Sequence, residues 1–403
     1  MSSRSRWGLM MNMPIGAALA VLALMVSTPP LAAQSFDLVD QSVRRGIERG
    51  LYPGAVVVIG RRDSVLYGRG YGHFTWNPAS AVPRPDSTLW DIASITKVVA
   101  TASTAMRLVD AGRLDLDAQV RRYLPRFTGG AKDRVTVRML LDHTSGLRSY
   151  VPIYQRARGK RDRAINLLLA QPLIRQPGDS AEYSDLNAML LGLVIEKVSG
   201  MPLDRAAHQE VFEPLGLTQT MYRPPRSLRP RIVPSGLWRG QPVPGDVNDQ
   251  NAVAFGNVAG HAGLFSTGTD LARFAQVWLR NGVGPRGTWV RPVTVARFLQ
   301  RGENSGSRRL GWDSPEQPQE MEDEPSVFGT LISDAAYGHT GFTGTELWVD
   351  PAHDLFLVFL TNRAFDPQVP ESAKELRLVR AELSDAALRL VPRVCEQELV
   401  ARC

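Results

Sequence analysis

Residues 90–97 read Trp-Asp-Ile-Ala-Ser-Ile-Thr-Lys, and Ser94-Ile95-Thr96-Lys97 opens a run in which Ile95, Val98, Val99, Ala102, Ala105, Met106 and Val109 recur at three- and four-residue steps. That spacing predicts a helix from Ser94 to about Asp110, ended by Gly112. On such a helix Lys97 lies one turn beyond Ser94 on the same face, with its amine in reach of the hydroxyl. A serine hydroxyl is a poor nucleophile until a neighbour takes its proton, and a lysine can do so when burial or nearby cations lower its pKa. A helix N-terminus also aims backbone N–H groups at developing negative charge. The competing reading is a helix N-cap serine with an incidental lysine. Composition argues against it. Only Lys97, Lys132, Lys160, Lys197 and Lys374 stand among the 47 basic residues, the others being arginine. Arginine carries charge but does not give up its proton, so a lysine kept at this spot suits a group that must titrate.

Working outward, Ala55–Gly60 (AVVVIG), a polar Arg61-Arg62-Asp63 turn and Val65-Leu66-Tyr67 read as a hairpin over 54–72. At the other end, strands are expected over Thr345–Val349 and Leu355–Leu360, joined by Pro351-Ala352-His353-Asp354, with a last helix from Ser372 to Leu390. Between them, Thr136 can cap a short helix, Leu186–Val198 forms a strongly apolar helix, and Thr269-Asp270 begins one that runs to Leu279. Strand signals at both ends around a helical middle indicate an α/β (α+β) fold: one antiparallel sheet built from both termini and flanked by helices, with a mostly helical inserted lobe. The expected division is an α/β lobe over 34–112 and 255–403 and a helical lobe over 113–254.

The chain has 403 residues, a formal charge of +7, 43% hydrophobic and 22% charged residues, a balance that excludes disorder. Cys395 and Cys403 are the only cysteines, which excludes a disulfide scaffold and cysteine-rich metal sites; they either pair or stand as two free thiols. Residues 1–33 have the layout of a secretory signal peptide: Arg4 and Arg6, the apolar run Pro14–Val26, then Leu31-Ala32-Ala33. The run is short for a bilayer span, so an uncleaved anchor is the lesser alternative and the expected location is periplasmic or secreted, with no stable membrane span. The basic run Arg156–Arg163 reads as a solvated loop without any nucleic-acid-binding motif, and Pro315–Pro325 as an exposed acidic loop. No H-E-x-x-H spacing points to a metal, no cofactor is expected, and no G-x-S-x-G elbow occurs. The oligomeric state is left open.

Two further clusters complete the chemistry. Glu182-Tyr183-Ser184-Asp185-Leu186-Asn187 sets a tyrosine at the mouth of the apolar helix, where a phenol held near a lysine can relay protons. Gly338-His339-Thr340-Gly341-Phe342 precedes the C-terminal strand pair, with glycines that permit close approach of a substrate backbone. These three clusters, in this order, resemble the S-x-x-K, Y-x-N and K-T-G motifs of the serine β-lactamase and penicillin-binding protein superfamily. The branch most similar is the class C β-lactamase-related group of DD-carboxypeptidases, D-amino-acid peptidases and amidases, and esterases. Residues 112–117, 140–147 and 260–267 match as well, so the resemblance covers roughly 36 to 390.

The resemblance implies an acylated nucleophile at Ser94, with Lys97 as its proton acceptor and Tyr183 activating the serine or the deacylating water. It implies a third-motif strand at His339-Thr340-Gly341, and an oxyanion hole made by the backbone N–H groups of Ser94 and Phe342. Two positions depart from the pattern. Asp185 stands for asparagine, and bonds Lys97, recognises a substrate amine or caps the following helix; Asn187 is a possible substitute. His339 stands for lysine, which removes a fixed cation unless the ring is protonated. His143 is read as a structural hydrogen-bonding residue, His261 is open to either cleft-lining or structure, and His73, His208 and His353 are read as surface or packing residues. The expected activity is hydrolysis of amides or esters through an acyl-enzyme, with D-alanine-containing cell-wall peptides preferred as substrate. A short-chain esterase is the alternative, then a weak β-lactamase, then a penicillin- or muropeptide-binding protein with little turnover.

Overall fold

Every residue from Gly54 to Gly60 is buried, the pattern of a strand covered on both faces. In the computed structural model, which describes residues 36–315 and 326–390, this segment is β1 (Gly54–Arg61), hydrogen-bonded to β2 (Ser64–Gly72) on one side. The C-terminal segments β3 (Tyr337–Thr340), β4 (Glu346–Asp350) and β5 (Leu355–Thr361) complete an antiparallel sheet in the order β3-β4-β5-β1-β2. The two ends of the chain meet where Ala55 pairs with Thr361 and Gly60 with Phe356. The expected sheet built from both termini is therefore present. Residues 1–33, expected to be a signal peptide, residues 316–325 of the acidic stretch, and Cys395 and Cys403 lie outside the described residues.

Four helices position the site: α1 (Asp37–Glu48), α2 (Asp185–Ser199), α3 (Gly268–Leu279) and α4 (Ser372–Leu388). Side chains alternate across the sheet. Ala55, Val57, Ile59, Leu355, Leu357 and Phe359 pack with Val39 and Val43 of α1 and with Leu376, Val379 and Leu383 of α4. Val56, Val58, Phe356, Val358 and Leu360 face the second core, shared with Leu271, Phe274 and Ala275 of α3. Each of the Val, Leu, Ile and Phe side chains among these contributes about 1.5–3 kcal/mol by leaving water. From 113 to 254 the chain is helix, turn and two-residue strands. α2 runs through that region with Leu186 to Ile195 buried, and Gly200 (φ 74) ends it in the left-handed region.

One expectation needs correction, and one helix was not expected. Residues 93–110 do not form one α-helix: a 3₁₀ turn at Ala93–Ile95 leads into a π-helical stretch at Lys97–Ala102, and regular α-helix holds only for Ser103–Asp110. Local side chains account for part of this, since Ala93 is held at φ 47 and the Ser103 hydroxyl donates to Val98 O, five residues back. The third-motif strand implied by the resemblance is present: Tyr337–Thr340 is the edge strand of the sheet. Helix α1 has no counterpart in the sequence reading, because its many charged residues obscure the buried stripe of Val39, Ser42, Val43 and Gly46.

Candidate active site

The serine turn is built from its flanks. Trp90–Asp91 pairs with the strand Leu264–Ser266, and Asp91, buried, accepts from Ala93 N (2.9 Å) and from Asn248 N (2.8 Å). Burial pushes its carboxyl up to about 6, against the pull of those two N–H donors. The bend carries Ala93 into positive φ and turns Ser94 toward the cleft. From the other side, the hydroxyls of Thr343 and Thr345 donate to Asp91 O (2.7 Å) and Ile92 O (3.0 Å), tying the third motif to the serine turn.

Ser94 Oγ receives two hydrogen-bonding groups. Lys97 Nζ lies 2.8 Å away and the Tyr183 hydroxyl 2.9 Å away. Lys97 is buried, and its ammonium also reaches Asp185 Oδ1 (2.8 Å) and His261 O (3.2 Å) and sits 4.9 Å from the centre of the Tyr183 ring. Burial by itself depresses the lysine pKa, but the Asp185 carboxylate and Tyr183 outweigh it and the net direction is upward. The expected lowering of this pKa is therefore reversed, and the reason is the aspartate that stands where the superfamily motif has asparagine.

His339 and Thr340 lie at the end of β3, beside Ser94 and Tyr183. Burial, reinforced by the charges of Lys97 and Arg308, pushes the His339 imidazole down to about 3, so the ring is neutral near pH 7. Its Nδ1 donates to Thr340 O (2.7 Å), while Nε2 is buried without a partner among the described residues. Gly341 N donates to Thr345 O (2.8 Å) and Gly344 N to Gly341 O (3.0 Å), which closes the turn that carries Phe342. Phe342 is 65% exposed at the cleft mouth, with the Arg363 guanidinium 4.6 Å over its ring.

Two cavities of about 340 Å³ each share Ser94 and Phe342 in their walls. The first holds Tyr183, Arg308, Asp313, His339 and Arg363. The second holds Asp91, Tyr150, Tyr154, Asp185, Asn248 and Asp249. The cleft is thus cationic on one side of the serine and acidic on the other.

Ser94, Lys97, Tyr183, Asp185, His339, Thr340, Gly341 and Phe342 therefore come together. Asn187 does not join them: fully buried, it accepts from Ser145 Oγ and donates to His143 Nδ1 (3.2 Å), and so cannot replace the motif asparagine in the cleft. His143 has the structural role expected of it, also accepting from Ser184 N (3.1 Å). His261 contributes its backbone carbonyl to Lys97, while its ring Nε2 donates to Asp249 Oδ1 at 2.9 Å. His353, expected at the surface or in packing, is buried against Asp350 (2.7 Å). The close approach that glycine allows at Gly341 is to the protein's own Ile92 carbonyl and Thr345 hydroxyl. At Gly338 it is to the core at Phe328, Leu347 and Trp348.

Sequence reasoning missed Arg308 and Asp249. The Arg308 guanidinium lies 5.0 Å over the Tyr183 ring and pairs with Asp313 at 3.2 Å; it comes from a Gly/Ser-rich loop with no periodic signal. Asp249 caps the helix Gln250–Ala254 through Ala252 N (2.7 Å), and its turn-like surroundings hide its second role beneath His261. Burial works to raise the Asp249 carboxyl, but His261 and Lys97 bring it down to about 2. Asp185, Asp249 and His261 present one ligand atom each within 4.8 Å of one another, yet Asp185 already holds the Lys97 ammonium and Asp249 the His261 ring.

The β-lactamase family model matches residues 39–382. An N-acetylmuramyl-L-alanine amidase of Bacillus subtilis (strain 168) is 32% identical over 375 residues, covering 85% of this chain and 84% of that protein. A protein of Escherichia coli (strain K12) named "Putative D-alanyl-D-alanine carboxypeptidase" is 30% identical over 376 residues, covering 83% of each. Among solved structures, EstCE1, described as a hydrolase with promiscuous acyltransferase activity, superposes with a TM-score of 0.69 at 24% identity over 88% of this chain and 100% of its own. The sheet joined from both ends of the chain, the serine–lysine–tyrosine contact beneath its edge strand and these matches agree: the chain belongs to the β-lactamase family of serine hydrolases.

Proposed function

We propose that the protein is an exported hydrolase that cleaves D-alanine-containing cell-wall peptides through an acyl-enzyme on Ser94. The observation that carries this reading is the double contact at Ser94 Oγ, with an amine at 2.8 Å and a phenol at 2.9 Å. Ser94 Oγ attacks the carbonyl carbon and its proton passes into the Lys97–Tyr183 pair. The oxyanion forms between the N–H groups of Ser94 and Phe342. The C–N bond then breaks, the leaving amine takes a proton, and water releases the acyl group by the reverse sequence. Arg308 and Arg363 in the cavity beside Tyr183 suit a leaving group that ends in a carboxylate. Two relatives bear names of amide hydrolases acting beside alanine, and Arg4, Arg6 and the apolar run 14–26 support export.

A short-chain esterase is the second reading. It is favoured by the neutral His339, which supplies no cation from β3 where the superfamily motif has lysine. Three assays on the purified protein separate these readings: D-alanine release from a peptide ending in D-Ala-D-Ala, p-nitrophenyl ester cleavage, and cephalosporin opening. Peptide turnover at a kcat/KM well above that for the ester is expected. Ester turnover alone would replace the peptidase by the esterase. Acylation by a fluorescent penicillin without product release would replace both by a binding protein. Persistent labelling of Ser94→Ala would remove the nucleophile assignment itself.

A further inference from the structure

Arg380 comes from the middle of α4 and is buried. Its Nη2 donates to Thr345 O (2.8 Å) and to Gly341 O (3.3 Å), while its Nε is buried without a partner among the described residues. Burial brings its pKa down to about 10, which leaves the guanidinium charged at pH 7. Glu346 of β4 acts on it by charge, but burial pushes that carboxyl up to about 8, so at pH 7 the cation is not neutralised. Burying such a charge is costly, and the two carbonyls do not require it. Thr345 O already accepts from Gly341 N (2.8 Å), and Gly341 O from Gly344 N (3.0 Å). What the guanidinium adds is direction and charge at one peptide unit.

The Gly341 carbonyl and the Phe342 N–H belong to one planar trans peptide, so they point in opposite directions. With the oxygen held on Arg380, the N–H is turned away from the guanidinium. Glycine on one side of this unit offers no Cβ to resist a flip, which leaves its orientation to its hydrogen bonds. A cation on the oxygen also polarises the amide and strengthens the N–H as a donor. Arg363 anchors the next unit in the same manner, its Nε donating to Phe342 O at 3.1 Å. We infer that Arg380 is a positioning residue of the reaction, which holds the Gly341 carbonyl so that the Phe342 N–H is fixed and polarised toward the developing oxyanion. Arg380 lines neither cavity beside Ser94 and acts through a single peptide bond. Were that peptide flipped, the Gly341 oxygen would face the oxyanion in place of the N–H and repel it. The inference rests on the serine-hydrolase reading of the site.

The test sets the full-length wild type beside Arg380→Gln, which loses the charge, and Arg380→Lys, which keeps it. With a p-nitrophenyl ester, Arg380→Gln is expected to lose at least about tenfold in kcat while KM changes by less than about threefold, and Arg380→Lys to recover part of the loss. Inhibition by phenylboronic acid supplies a readout that packing alone would not move. Its adduct with Ser94 is a tetrahedral anion that engages the oxyanion donors, whereas the carboxylate product of the ester does not form one. The boronate inhibition constant should rise in step with the loss of kcat/KM across the three proteins, and that of the product carboxylate should stay within about threefold. If a thermal melt shows Arg380→Gln to be unfolded, Arg380→Gln/Glu346→Gln, which also removes the buried carboxyl, takes its place. A folded variant without the Arg380 charge that keeps the wild-type boronate constant overturns the inference, and so does one that weakens boronate and product equally. Fluorophosphonate treatment of the wild type keeps the two questions apart. Failure to label Ser94 removes the serine-hydrolase reading, whereas labelling with an unmoved boronate constant in the variant removes only the role of Arg380.

Discussion

A Cβ atom on Gly341 would stand 2.7 Å from the carbonyl oxygen of Ile92, so the end of the edge strand and the turn that carries the nucleophile are in backbone contact. The same Cβ would come 2.1 Å from Thr345 Oγ1, the hydroxyl that donates to that carbonyl. The two N–H groups assigned to the oxyanion sit on either side of this contact, one at Ser94 and one at Phe342. Their separation is therefore set by the absence of a side chain at a single residue. Gly341→Ala is expected to lower kcat by about 10²-fold or more, the scale of losing one oxyanion donor, with a smaller change in KM. Steady-state kinetics with a p-nitrophenyl ester check this, and an unchanged kcat would show that the contact does not hold the oxyanion hole.

Tyr183→Phe removes one of the two polar contacts to Ser94 Oγ and leaves the ring, with its packing against His143 and His339, in place. Turnover should fall by about 10²–10⁴-fold, the range of a lost general acid–base, while the melting temperature changes little. Stopped-flow acylation with a fluorescent penicillin, set beside a thermal melt, separates chemistry from folding. Equal acylation rates in the two proteins would place the proton elsewhere.

Arg308→Ala removes a guanidinium from the cavity beside Tyr183 and leaves Asp313 without its 3.2 Å partner. For peptides ending in a free carboxylate, kcat/KM should drop by about tenfold or more, mainly through KM, as expected of a charge-assisted contact. Neutral esters should be hydrolysed nearly as before. The ratio of the two substrates in one competition assay is the measurement, and a parallel loss for both would assign Arg308 to positioning Tyr183.

Glu346 lies opposite Thr340 in the sheet, fully buried, with neither carboxyl oxygen partnered among the described residues. Burial, opposed by the charge of Arg380, pushes it from 4.5 up to about 8. The folded state therefore holds a proton that the unfolded chain releases above 4.5, and wild-type stability falls as pH rises from there toward 8. Glutamine has the same shape and no proton to lose. Glu346→Gln should gain on the wild type by up to about 1.4 kcal/mol per pH unit across that window. Urea denaturation of both proteins at pH 5 and pH 8 reads the difference, and a difference that stays constant with pH contradicts the burial argument.

The candidate catalytic residues were largely legible in the sequence because they are carried by local patterns. Ser94 and Lys97 are three apart at the opening of an apolar-periodic segment, Tyr183 precedes the apolar run of α2, and His339-Thr340-Gly341 leads into two largely apolar strands buried along their whole length. Arg308 and Asp249 carried no such mark. Both reach the site from irregular loops, where nothing repeats and where the residue type alone reads as solvated charge. Asn187 shows the opposite error: it sits near a motif in sequence, but its place on α2 turns it into the core toward Ser145 and His143.

Taken alone, the sequence determined the sheet joined from both ends, because hydrophobic periodicity is a property of neighbouring residues, and it marked the candidate nucleophile and its partners through their resemblance to three ordered motifs. Only the tertiary structure decided what those partners do. Whether burial lowers a lysine pKa depends on which charge lies 2.8 Å away, and Asp185 is 88 residues along the chain from Lys97. The same holds for the neutral His339, whose state is set by the removal of water and the charges of Lys97 and Arg308, and for the protonated Glu346, where the removal of water outweighs the charge of Arg380.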